Sequence, residues 1–439
     1  ETYRQSSRDQ VTGMHNRAFF MDAMEHTLNT LKQTHGYCCL ILIDLDYFKT
    51  INDSLGHDIG DLLLQEVVKR INGLVPDNCV AARMGGDEFI LITPTGNDRE
   101  TCTNTAIELA EQLRNNLKQT YEIDRHHLYI SASVGISVIH EPSDRAIRYI
   151  KEADIAMYEV KDKGRDDVVL FNDEVAARVE KDLEIERRLH FALEHGEISL
   201  VYQPQVNQQR MIVGCEVLVR WNNEVLGHVP PSTFIPIAEK TGLIIEIGNY
   251  VLEEAFKTLH EWFEQGINLE QFSINISMRQ FFFQSFTEHL QSLCEQYLCE
   301  DDKRKIVLEM TESTMAEELD RLIDIMNFMR SGGLSFSIDD FGTGYSSLSY
   351  LRQVPLDEIK IDRSFTDQIA SSEDSQAMIK TIIHLAKQFN LKVIAEGVET
   401  EAQMDFLVQN ECDMLQGYLF SKPVLKAEFE RLYTESRTL

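Results

Sequence analysis

Acidic and amide side chains stand at the ends of several short apolar runs in the second half of the chain. They are Asn275 in SINIS, Glu309 in VLEMTE, the pair Asp339 and Asp340 in SIDDFG, and Glu396 in IAEGVE. A ring of carboxylates with one amide is a ligand set that holds two hard divalent cations, which activate water and stabilise charge on a phosphate. One acid at a strand end is more often a loop cap or a surface charge, but four runs sharing the feature favour a common site.

A further acid lies on an alternating segment from Cys215 to Trp221. The period of two places Glu216, Leu218 and Arg220 on one face of a strand and Val217, Val219 and Trp221 on the other. We expect the side chains of the first face to form part of a functional site and those of the second face to pack in the core.

The first half of the chain has a second candidate site around Gly85-Gly86, which Asp87 and Glu88 follow directly. Glycine lets the backbone approach a phosphate closely, although Gly-Gly before acids is usually an ordinary hairpin turn. Asp44 ends an apolar run, and it would lie beside Asp87 if the two strands are neighbours, which gives a carboxylate pair for metal ions. Lys49 and the backbone from Leu45 onward could then cradle phosphates.

The first 172 residues alternate helical and strand patterns and predict an α+β domain. The segments are a strand at 40–44, a helix at 60–71, a hairpin of strands 80–82 and 89–92, a strand at 129–139 and a helix at 154–161. A charged helical stretch begins at Asn172 and has no Gly or Pro before Gly196, and we place the domain boundary in it. We expect domains at 1–172 and 183–439 with a helical linker at 173–182.

Strands and helices alternate regularly in the second half. The strand-like runs are 198–206, 211–221, 272–277, 305–311, 335–341, 358–362, 392–398 and 414–420. Eight strands in this length predict a (β/α)₈ barrel, in which the first two strands follow each other closely enough to form a hairpin. Residues at the carboxyl ends of barrel strands meet at one mouth, so the barrel would bring the acids together.

Charge and cysteine content restrict the class of protein. The chain has 439 residues, with 42 Lys and Arg against 72 Asp and Glu, for a net charge of −30. A protein with this net negative charge repels polyanions, which argues against DNA or RNA binding. The eight cysteines form no CxxC pair, which predicts reduced thiols and a cytoplasmic location. The chain begins at Glu1, and we expect it to be a fragment that lacks an upstream sensor or membrane anchor.

Seven motifs in the second half resemble the EAL phosphodiesterases in order and spacing. They are EVL followed by VRW, then NIS, EMTES, DDFGTGYSSL, IKID, AEGVE and LQGYLFSKP, across residues 183 to 439. The resemblance implies a TIM-like barrel that hydrolyses cyclic di-GMP to linear pGpG with two Mg²⁺ or Mn²⁺ ions.

The resemblance also assigns roles in the barrel. Metal ligands would be Glu216, Asn275, Glu309, Asp339, Asp340 and Glu396. Lys360 would assist the attacking water with Gln416 beside it, Glu312 would support the loop from Asp340 to Ser346, and Gln203, Leu218 and Arg220 would contact the dinucleotide. Val217 replaces the Ala of the family motif, and because it points away from Glu216 we expect it to disturb packing without abolishing activity.

The first half resembles the GGDEF diguanylate cyclases over residues 1 to 172. The matching text is DQVTGMHNR, IDLDYFKTINDSLGHDIGD, GGDEF and the stretch from Tyr158 to Arg165. The resemblance implies a palm-like fold with a central antiparallel sheet, in which a homodimer joins two GTP molecules. Asp44, the Leu45 backbone and Asp87 would bind metal and Glu88 would support catalysis. Asn52 and Asp61 would contact guanine, and Lys49, Lys161 and Arg165 would contact phosphates.

Two alternatives to a bifunctional enzyme remain open from the sequence. The first domain could bind GTP for regulation without turnover, and the whole chain could be a silent cyclic di-GMP or GTP receptor that signals through a partner. The intact carboxylate sets favour an enzyme. Cyclases of this family often carry an RxxD product-inhibition site before the hairpin, and Pro76 and Cys79 occupy the matching positions, so we expect no inhibition through that site.

Overall fold

The computed structural model describes residues 7–140, 145–311, 318–342 and 348–437. The chain forms two compact units, Glu1–Leu183 and Glu184–Leu439. Each unit has its own buried core. No helix among the described residues is long and apolar enough to cross a bilayer.

The first unit is an α+β domain built on a six-stranded sheet. The strands of the unit are β1 (His15–Asn16), β2 (Cys38–Leu45), β3 (Val80–Gly85), β4 (Glu88–Ile92), β5 (Tyr121–Ile123), β6 (His126–Leu128), β7 (Ala132–Ile139) and β8 (Val168–Leu170). β5 and β6 pair with each other in a separate two-stranded sheet. The helices of the unit are α1 (Arg17–Thr34), α2 (Phe48–Leu55), α3 (His57–Leu74), α4 (Arg99–Leu117) and α5 (Ala146–Asp162), and α6 (Asp173–Leu189) contains the unit boundary.

The sheet order is β1-β3-β4-β2-β7-β8, and its central strands are antiparallel. Every residue of β2 is buried, because its side chains alternate between two cores. Cys39, Ile41 and Ile43 pack with α3 and α4 on one face of the sheet. On the other face, Leu40 and Leu42 pack with α1 and α5. The antiparallel central sheet with helices on both faces confirms the predicted fold class.

The predicted elements of the first unit differ from the observed ones mainly at their ends, and the helices α1, α2 and α4 were not predicted. The helix predicted at 60–71 runs from His57 to Leu74, and the strand predicted from 129 starts at Ala132. The β2–β7 ladder stops at the pair Leu45 and Ala132, so Tyr129 has no strand partner in that ladder and is exposed. The hairpin is confirmed, and its turn uses φ values of 142° at Gly85 and 54° at Gly86, which glycine adopts without strain.

The second unit is the predicted barrel. Its strands are β9 (Ile198–Val206), β10 (Ile212–Asn223), β11 (Gly227–Val229), β12 (Gln271–Asn275), β13 (Ile306–Thr311), β14 (Ser335–Phe341), β15 (Glu358–Ile361), β16 (Lys392–Ala395) and β17 (Met414–Leu415). Its helices are α7 (Pro231–Thr241), α8 (Ile244–Glu264), α9 (Met278–Phe281), α10 (Phe286–Tyr297), α11 (Glu300–Lys303), α12 (Leu319–Ser331), α13 (Leu348–Gln353), α14 (Arg363–Thr366), α15 (Glu373–Gln388), α16 (Glu401–Gln409) and α17 (Lys426–Ser436).

Eight of these strands close the barrel in the order β10-β12-β13-β14-β15-β16-β17-β9, and β11 extends β10 as a hairpin outside it. β9 is antiparallel to both of its neighbours, which confirms the predicted hairpin of the first two strands. The main core, which contains the fully buried Trp221 and Trp262, lies between the strands and the surrounding helices.

The last two strands are shorter than predicted. β16 ends at Ala395, because Gly397 takes a φ of 66° that a continuing strand does not allow. β17 ends at Leu415, and a Cβ at Gly417 would lie 2.1 Å from the Val398 carbonyl oxygen. The two glycines therefore let these chain ends turn at the mouth of the barrel, where Glu396 and Gln416 stand.

Candidate active sites

Seven polar residues from the sequence analysis meet at the carboxyl ends of the barrel strands. They are Glu216 on β10, Asn275 on β12, Glu309 on β13, Asp339 on β14, Lys360 on β15, and Glu396 and Gln416 just after β16 and β17. Neighbouring strands place Asn275 beside Glu309 in register. Inward-facing positions at one level of a barrel share the same interior, so residues far apart in sequence contact one another there.

Lys360 lies at the centre of this site. Its side chain is fully buried, and Nζ lies 2.6 Å from Glu396, 2.7 Å from Glu309, 3.2 Å from Glu216 and 3.6 Å from Asp339. Burial disfavours its charged form, but the surrounding carboxylates outweigh burial and raise the pKa of Lys360 well above its usual value. The ammonium therefore compensates part of the negative charge that the ring of acids concentrates in the barrel.

The pKa values of the acids around Lys360 are shifted in different directions. Burial raises the pKa of Glu396 to about 8, although Lys360 opposes the shift. Burial also raises the pKa of Glu309, to which the nearby Glu216 and Asp339 charges contribute. For Glu216, the Lys360 charge and the amides of Gln416 and Asn275 overcome burial and lower the pKa. One ammonium cannot neutralise this many buried acids, so the ring retains capacity for further positive charge.

Amide side chains hold Glu216 from both sides. Asn275 Nδ2 donates to Oε1 at 2.7 Å, and Gln416 Nε2 donates to Oε2 at 2.5 Å. Gln416 also contacts Gln203 at 3.2 Å and accepts from Gln205 at 3.1 Å. Sequence reasoning missed Gln205; its spacing of two from Gln203 puts both side chains on one face of β9, and their contacts with Gln416 show that this face is the barrel interior.

A group of oxygen donors beside Lys360 fits a divalent cation. Asp339, Asp340 and Glu396 each offer one carboxylate oxygen, and these atoms lie within 4.8 Å of one another. Outside this group of three, Glu309 Oε1 is buried without a hydrogen-bond partner, so its desolvation is uncompensated. Asp340 has a φ of 56°, and burial together with Asp339 raises its pKa to about 6. Oxygen ligands in a ring suit hard cations such as Mg²⁺ or Mn²⁺.

A cavity of about 590 Å³ opens beside the ring of acids. Leu218, Arg220 and Asn275 line it near the acids, and Pro231, Ile235 and Pro236 of α7 line the far wall. Burial lowers the pKa of Arg220, which is half-buried, and its Nη1 donates to the Val219 carbonyl at 2.8 Å. The cavity combines apolar walls with one cation, a combination that suits a planar base next to a phosphate. Glu312 lies outside the described residues.

In the first unit, Asp44 on β2 stands opposite Glu88 on β4, and the Leu45 N–H donates to the Asp87 carbonyl at 3.2 Å. The two strands are neighbours, as the carboxylate pair requires. Lys161 lies 2.8 Å from Asp44. Burial raises the pKa of Asp44 to about 6 although Lys161 lowers it, and burial also raises the pKa of Glu88. The arrangement is a partly buried acidic site at the open end of the sheet.

The other residues predicted for this site lie on the surrounding helices and loops. Lys49 and Asp61 are exposed on α2 and α3. Asn52 Oδ1 is buried without a partner, and a Cβ at Gly60 would lie 1.8 Å from it, so only glycine fits beside Asn52. Asp46 was missed from the sequence, and it accepts hydrogen bonds from Ser131 and Ser133 at 2.6 Å each.

Comparison with family models identifies both units. The model described as EAL domain matches residues 186–423, and the model described as diguanylate cyclase, GGDEF domain matches residues 6–167. Among solved structures, the phosphodiesterase PaMucR in complex with c-di-GMP has a TM-score of 0.54 and 38% identity, and the match covers 56% of this chain and 99% of that one. The GGDEF–EAL part of Vibrio cholerae LapD has a TM-score of 0.53 at 18% identity, covers 96% of this chain and 97% of that one, and supports the fold.

Curated relatives align with nearly the whole chain. The bifunctional diguanylate cyclase/cyclic di-GMP phosphodiesterase MucR of Pseudomonas aeruginosa is 38% identical over 95% of this chain and 60% of its own length. The cyclic di-GMP phosphodiesterase PdeR of Escherichia coli is 34% identical over 98% of this chain and 63% of its own length. The chain thus spans less than two thirds of the length of these relatives. It belongs to the family of proteins that join a GGDEF domain to an EAL domain, the two domain types of cyclic di-GMP metabolism.

Proposed function

We propose that the barrel hydrolyses cyclic di-GMP to linear pGpG. The observation that carries the proposal is the buried Lys360 ammonium inside a ring of carboxylates, next to the donor group of Asp339, Asp340 and Glu396. A receptor that only binds the dinucleotide does not need such a concentration of buried charge, which is costly to maintain without a reaction that uses it.

The residues of the chain have separate parts in the proposed reaction. Water attacks one phosphorus atom, the bond from that phosphorus to the 3′ oxygen breaks, and this oxygen takes a proton. Two divalent cations, held by Glu216, Asn275, Glu309, Asp339, Asp340 and Glu396, would supply Lewis-acid stabilisation of the phosphate charge and make water a better nucleophile. Lys360 donates a hydrogen bond that orients the water, and Gln416 fixes Glu216 beside it.

Arg220 supplies a cation that lines the cavity, whereas Lys360 is enclosed by carboxylates. Its guanidinium lines the cavity beside the acids, where it can form a paired contact to a phosphate. Leu218 and the α7 residues give the apolar walls for a guanine, and Gln203 lies next to Gln416 at the edge of the site. Local contacts therefore hold the anionic substrate, although the net negative charge of the chain repels it.

We also propose that the first unit binds GTP with a divalent cation and, as a homodimer, condenses two GTP molecules to cyclic di-GMP. Asp44, Asp87 and Glu88 supply the acidic group, and Lys161 lies beside Asp44, where a triphosphate would compete for it. In this reaction each 3′ hydroxyl attacks the α-phosphate of the other GTP and releases pyrophosphate. A GTP-binding unit without turnover is the alternative that the assay below separates.

Incubation of the purified chain with cyclic di-GMP and Mg²⁺ or Mn²⁺, followed by chromatography, tests the first proposal. We expect pGpG to form, Glu216→Ala to abolish it, and the matched control Glu264→Ala to leave it unchanged, because Glu264 is exposed at the end of α8. Intact cyclic di-GMP despite binding measured by calorimetry would favour the silent receptor. A parallel reaction with GTP alone, with Asp87→Ala as control, tests the cyclase.

A further inference from the structure

A contact at the edge of the first-unit site has no part in the roles assigned above. The guanidinium carbon of Arg165 lies 4.6 Å from the centre of the Tyr47 ring, and Arg165 Nη1 donates to the Tyr47 hydroxyl at 3.2 Å. Tyr47 is 63% exposed. Burial in a core therefore does not fix this aromatic side chain, and Arg165 contacts both its face and its hydroxyl.

Both partners of this contact are presented by unusual backbone. Tyr47 has a φ of 58°, and Gly164, Arg165 and Asp166 have φ values of 115°, 69° and 53° in succession. Non-glycine residues rarely take such values unless the surrounding structure holds them there. Two separate segments thus adopt strained conformations, and their side chains meet. The backbone of each segment, and not only the contact between the side chains, sets where Tyr47 and Arg165 lie.

The two segments are also tied together beneath the contact. The Asp166 N–H donates to Asp46 Oδ2 at 3.3 Å, and Asp46 directly precedes Tyr47. The Asp166 carboxylate in turn accepts from Arg114 at 2.9 Å and pairs with Lys118. These links hold the loop of Arg165 against the loop of Tyr47, so the guanidinium is kept near one position before any ligand arrives.

Asp46 forms a long ion pair with Arg165 and no hydrogen bond. It accepts hydrogen bonds from the Ser131 and Ser133 hydroxyls, and Arg165 Nε lies 4.0 Å from its Oδ1, beyond hydrogen-bonding distance. A cation–π contact uses the face of a guanidinium, so Arg165 N–H groups other than the one that donates to the Tyr47 hydroxyl can fork onto phosphate oxygens. A carboxylate at hydrogen-bonding distance would occupy those donors.

We propose that Tyr47 is a positioning residue that holds Arg165 for the phosphates of a nucleoside triphosphate. The proposal rests on the proposed binding of GTP by this unit and adds the group that orients its phosphate contact. Tyr47 acts through Arg165, so its loss should matter for a ligand with a charged triphosphate and much less for one with a single phosphate.

Calorimetric titration of the full chain with an α,β-methylene analogue of GTP and Mg²⁺ tests the role. We expect Tyr47→Phe, which keeps the ring, to weaken binding about 2-fold, and Tyr47→Ala to weaken it about 5-fold. Binding of GMP should change by less than about 2-fold. The double variant Tyr47→Ala with Arg165→Ala should bind the analogue as Arg165→Ala alone does, because the two residues act as one unit.

The results separate this role from others. Additive losses in the double variant, or equal losses for GMP and the triphosphate, would overturn the proposal and indicate that Tyr47 contacts the base directly. Binding by the parent chain that Tyr47→Ala leaves intact would overturn the proposal while GTP binding stands. No binding by the parent chain would remove GTP binding and the positioning role together.

A second measurement tests the contact without any nucleotide. In protein labelled with ¹⁵N-arginine, the Nε–H signal of Arg165, assigned by its loss in Arg165→Ala, should be shifted upfield by the Tyr47 ring and should move downfield in Tyr47→Ala. Tyr47→Phe should keep most of the shift, because the ring face remains. A signal that does not respond to Tyr47→Ala would show that the side chains do not stack, and the proposal would fail on that result alone.

Discussion

The positive charge of Lys360 compensates part of the negative charge of the acids in the barrel. Four carboxylates lie within 3.6 Å of its Nζ, and the lysine side chain is fully buried. Removing one partner of a buried ionic group leaves charges that nothing compensates, at a cost of about 3 to 5 kcal/mol. The residue should therefore matter for stability as well as for hydrolysis.

Lys360→Met should lower cyclic di-GMP hydrolysis by about 100-fold or more, because it removes the donor that orients the water in the proposed reaction. It should also destabilise the metal-free barrel, and Mn²⁺ should restore more stability to the variant than to the parent chain. Both tryptophans, Trp221 and Trp262, lie in the barrel unit, so denaturant unfolding followed by tryptophan fluorescence reports on this unit. Lys392→Met, at an exposed position on β16, is the matched control; equal stability of both variants would contradict the argument.

Glu358 is a further buried acid of the barrel, two residues before Lys360 on β15, and the sequence analysis did not select it. Burial raises its pKa to about 7 from an ordinary value of 4.5, and both carboxylate oxygens are buried without a hydrogen-bond partner. The folded chain thus holds this proton more tightly than the unfolded chain. Stability falls as pH rises from about 4.5 to about 7, and above that range the loss is constant, at about 3 kcal/mol.

Glu358→Gln should remove this dependence, because the amide is nearly the same size and does not ionise. We expect the variant to match the parent chain near pH 5 and to exceed its free energy of unfolding by about 2 to 3 kcal/mol at pH 8. Denaturation followed by tryptophan fluorescence at the two pH values measures the difference. A difference that is the same at both pH values would mean that Glu358 does not titrate in this range.

The residues of the barrel site were largely predictable, whereas their contacts were not. Strand-end acids such as Glu309 and Glu396 are visible in the sequence because each ends an apolar run. The convergence of four carboxylates on Lys360 depends on how the strands are staggered around the barrel, which no local pattern contains. Gln205 and Glu358 lie deeper in the barrel, and there an inward-facing polar residue gives the same alternating pattern as an outward-facing one.

At the scale of elements, β10 shows how one strand divides its residues between chemistry and packing. Val217 is 2% exposed and belongs to the core between strands and helices, while Glu216 faces the barrel interior. Val217 also borders the cavity beside the site, together with Ile247 and Val251 of α8. The replacement of Ala by Val in the family motif therefore adds volume on the packing side of the strand.

Val217→Ala should lower the free energy of unfolding of the barrel by about 1 to 2 kcal/mol, because two buried methyl groups are removed beside an existing cavity. Turnover of cyclic di-GMP should stay within about 3-fold of the parent chain, since the Glu216 contacts lie on the other face. Denaturation and the chromatographic assay measure the two effects. A large gain in turnover would show that Val217 perturbs the geometry of Glu216 through the strand.

The turn before β3 allows a prediction for the first unit. Pro76 and Cys79 occupy the positions of the product-inhibition motif, and the Cys79 N–H donates to the Pro76 carbonyl at 2.9 Å. Neither side chain can form the charged contacts that an Arg and an Asp would make with a dinucleotide. Cyclase activity should therefore persist when cyclic di-GMP is added at tens of micromolar, measured as pyrophosphate release with Glu216→Ala blocking hydrolysis. A rate that collapses at low micromolar product would require another inhibitory site.

The hydrophobic periodicity of a segment predicted whether it forms a helix or a strand. Where the element begins and ends depends on contacts with other elements, which the periodicity of one segment does not show. The helix at His57–Leu74 was predicted because Leu63, Leu64 and Val67 lie on one face, and all three are buried. The strand β7 begins three residues later than predicted because its partner β2 ends at Leu45. The short strands β1 and β8, at the edges of the sheet, have too few residues to show an alternating pattern.

The whole molecule has a net charge of −30, and cyclic di-GMP is an anion. Charges of like sign slow diffusional encounter, and salt screens them over about 10 Å at 0.1 M ionic strength. Arg220 and any divalent cations that the acids hold would act only at the site. The association rate of a fluorescent cyclic di-GMP analogue, measured by stopped flow in Ca²⁺ at fixed concentration, should therefore rise by about 2-fold or more from 20 to 200 mM NaCl. Nucleic-acid-binding proteins show the opposite dependence.

An association rate that falls as salt is added would contradict this expectation. It would mean that positive charges at the mouth of the barrel, Arg220 above all, attract the ligand more strongly than the net charge of the chain repels it. In that case Arg220→Ala would abolish the salt dependence of the association rate.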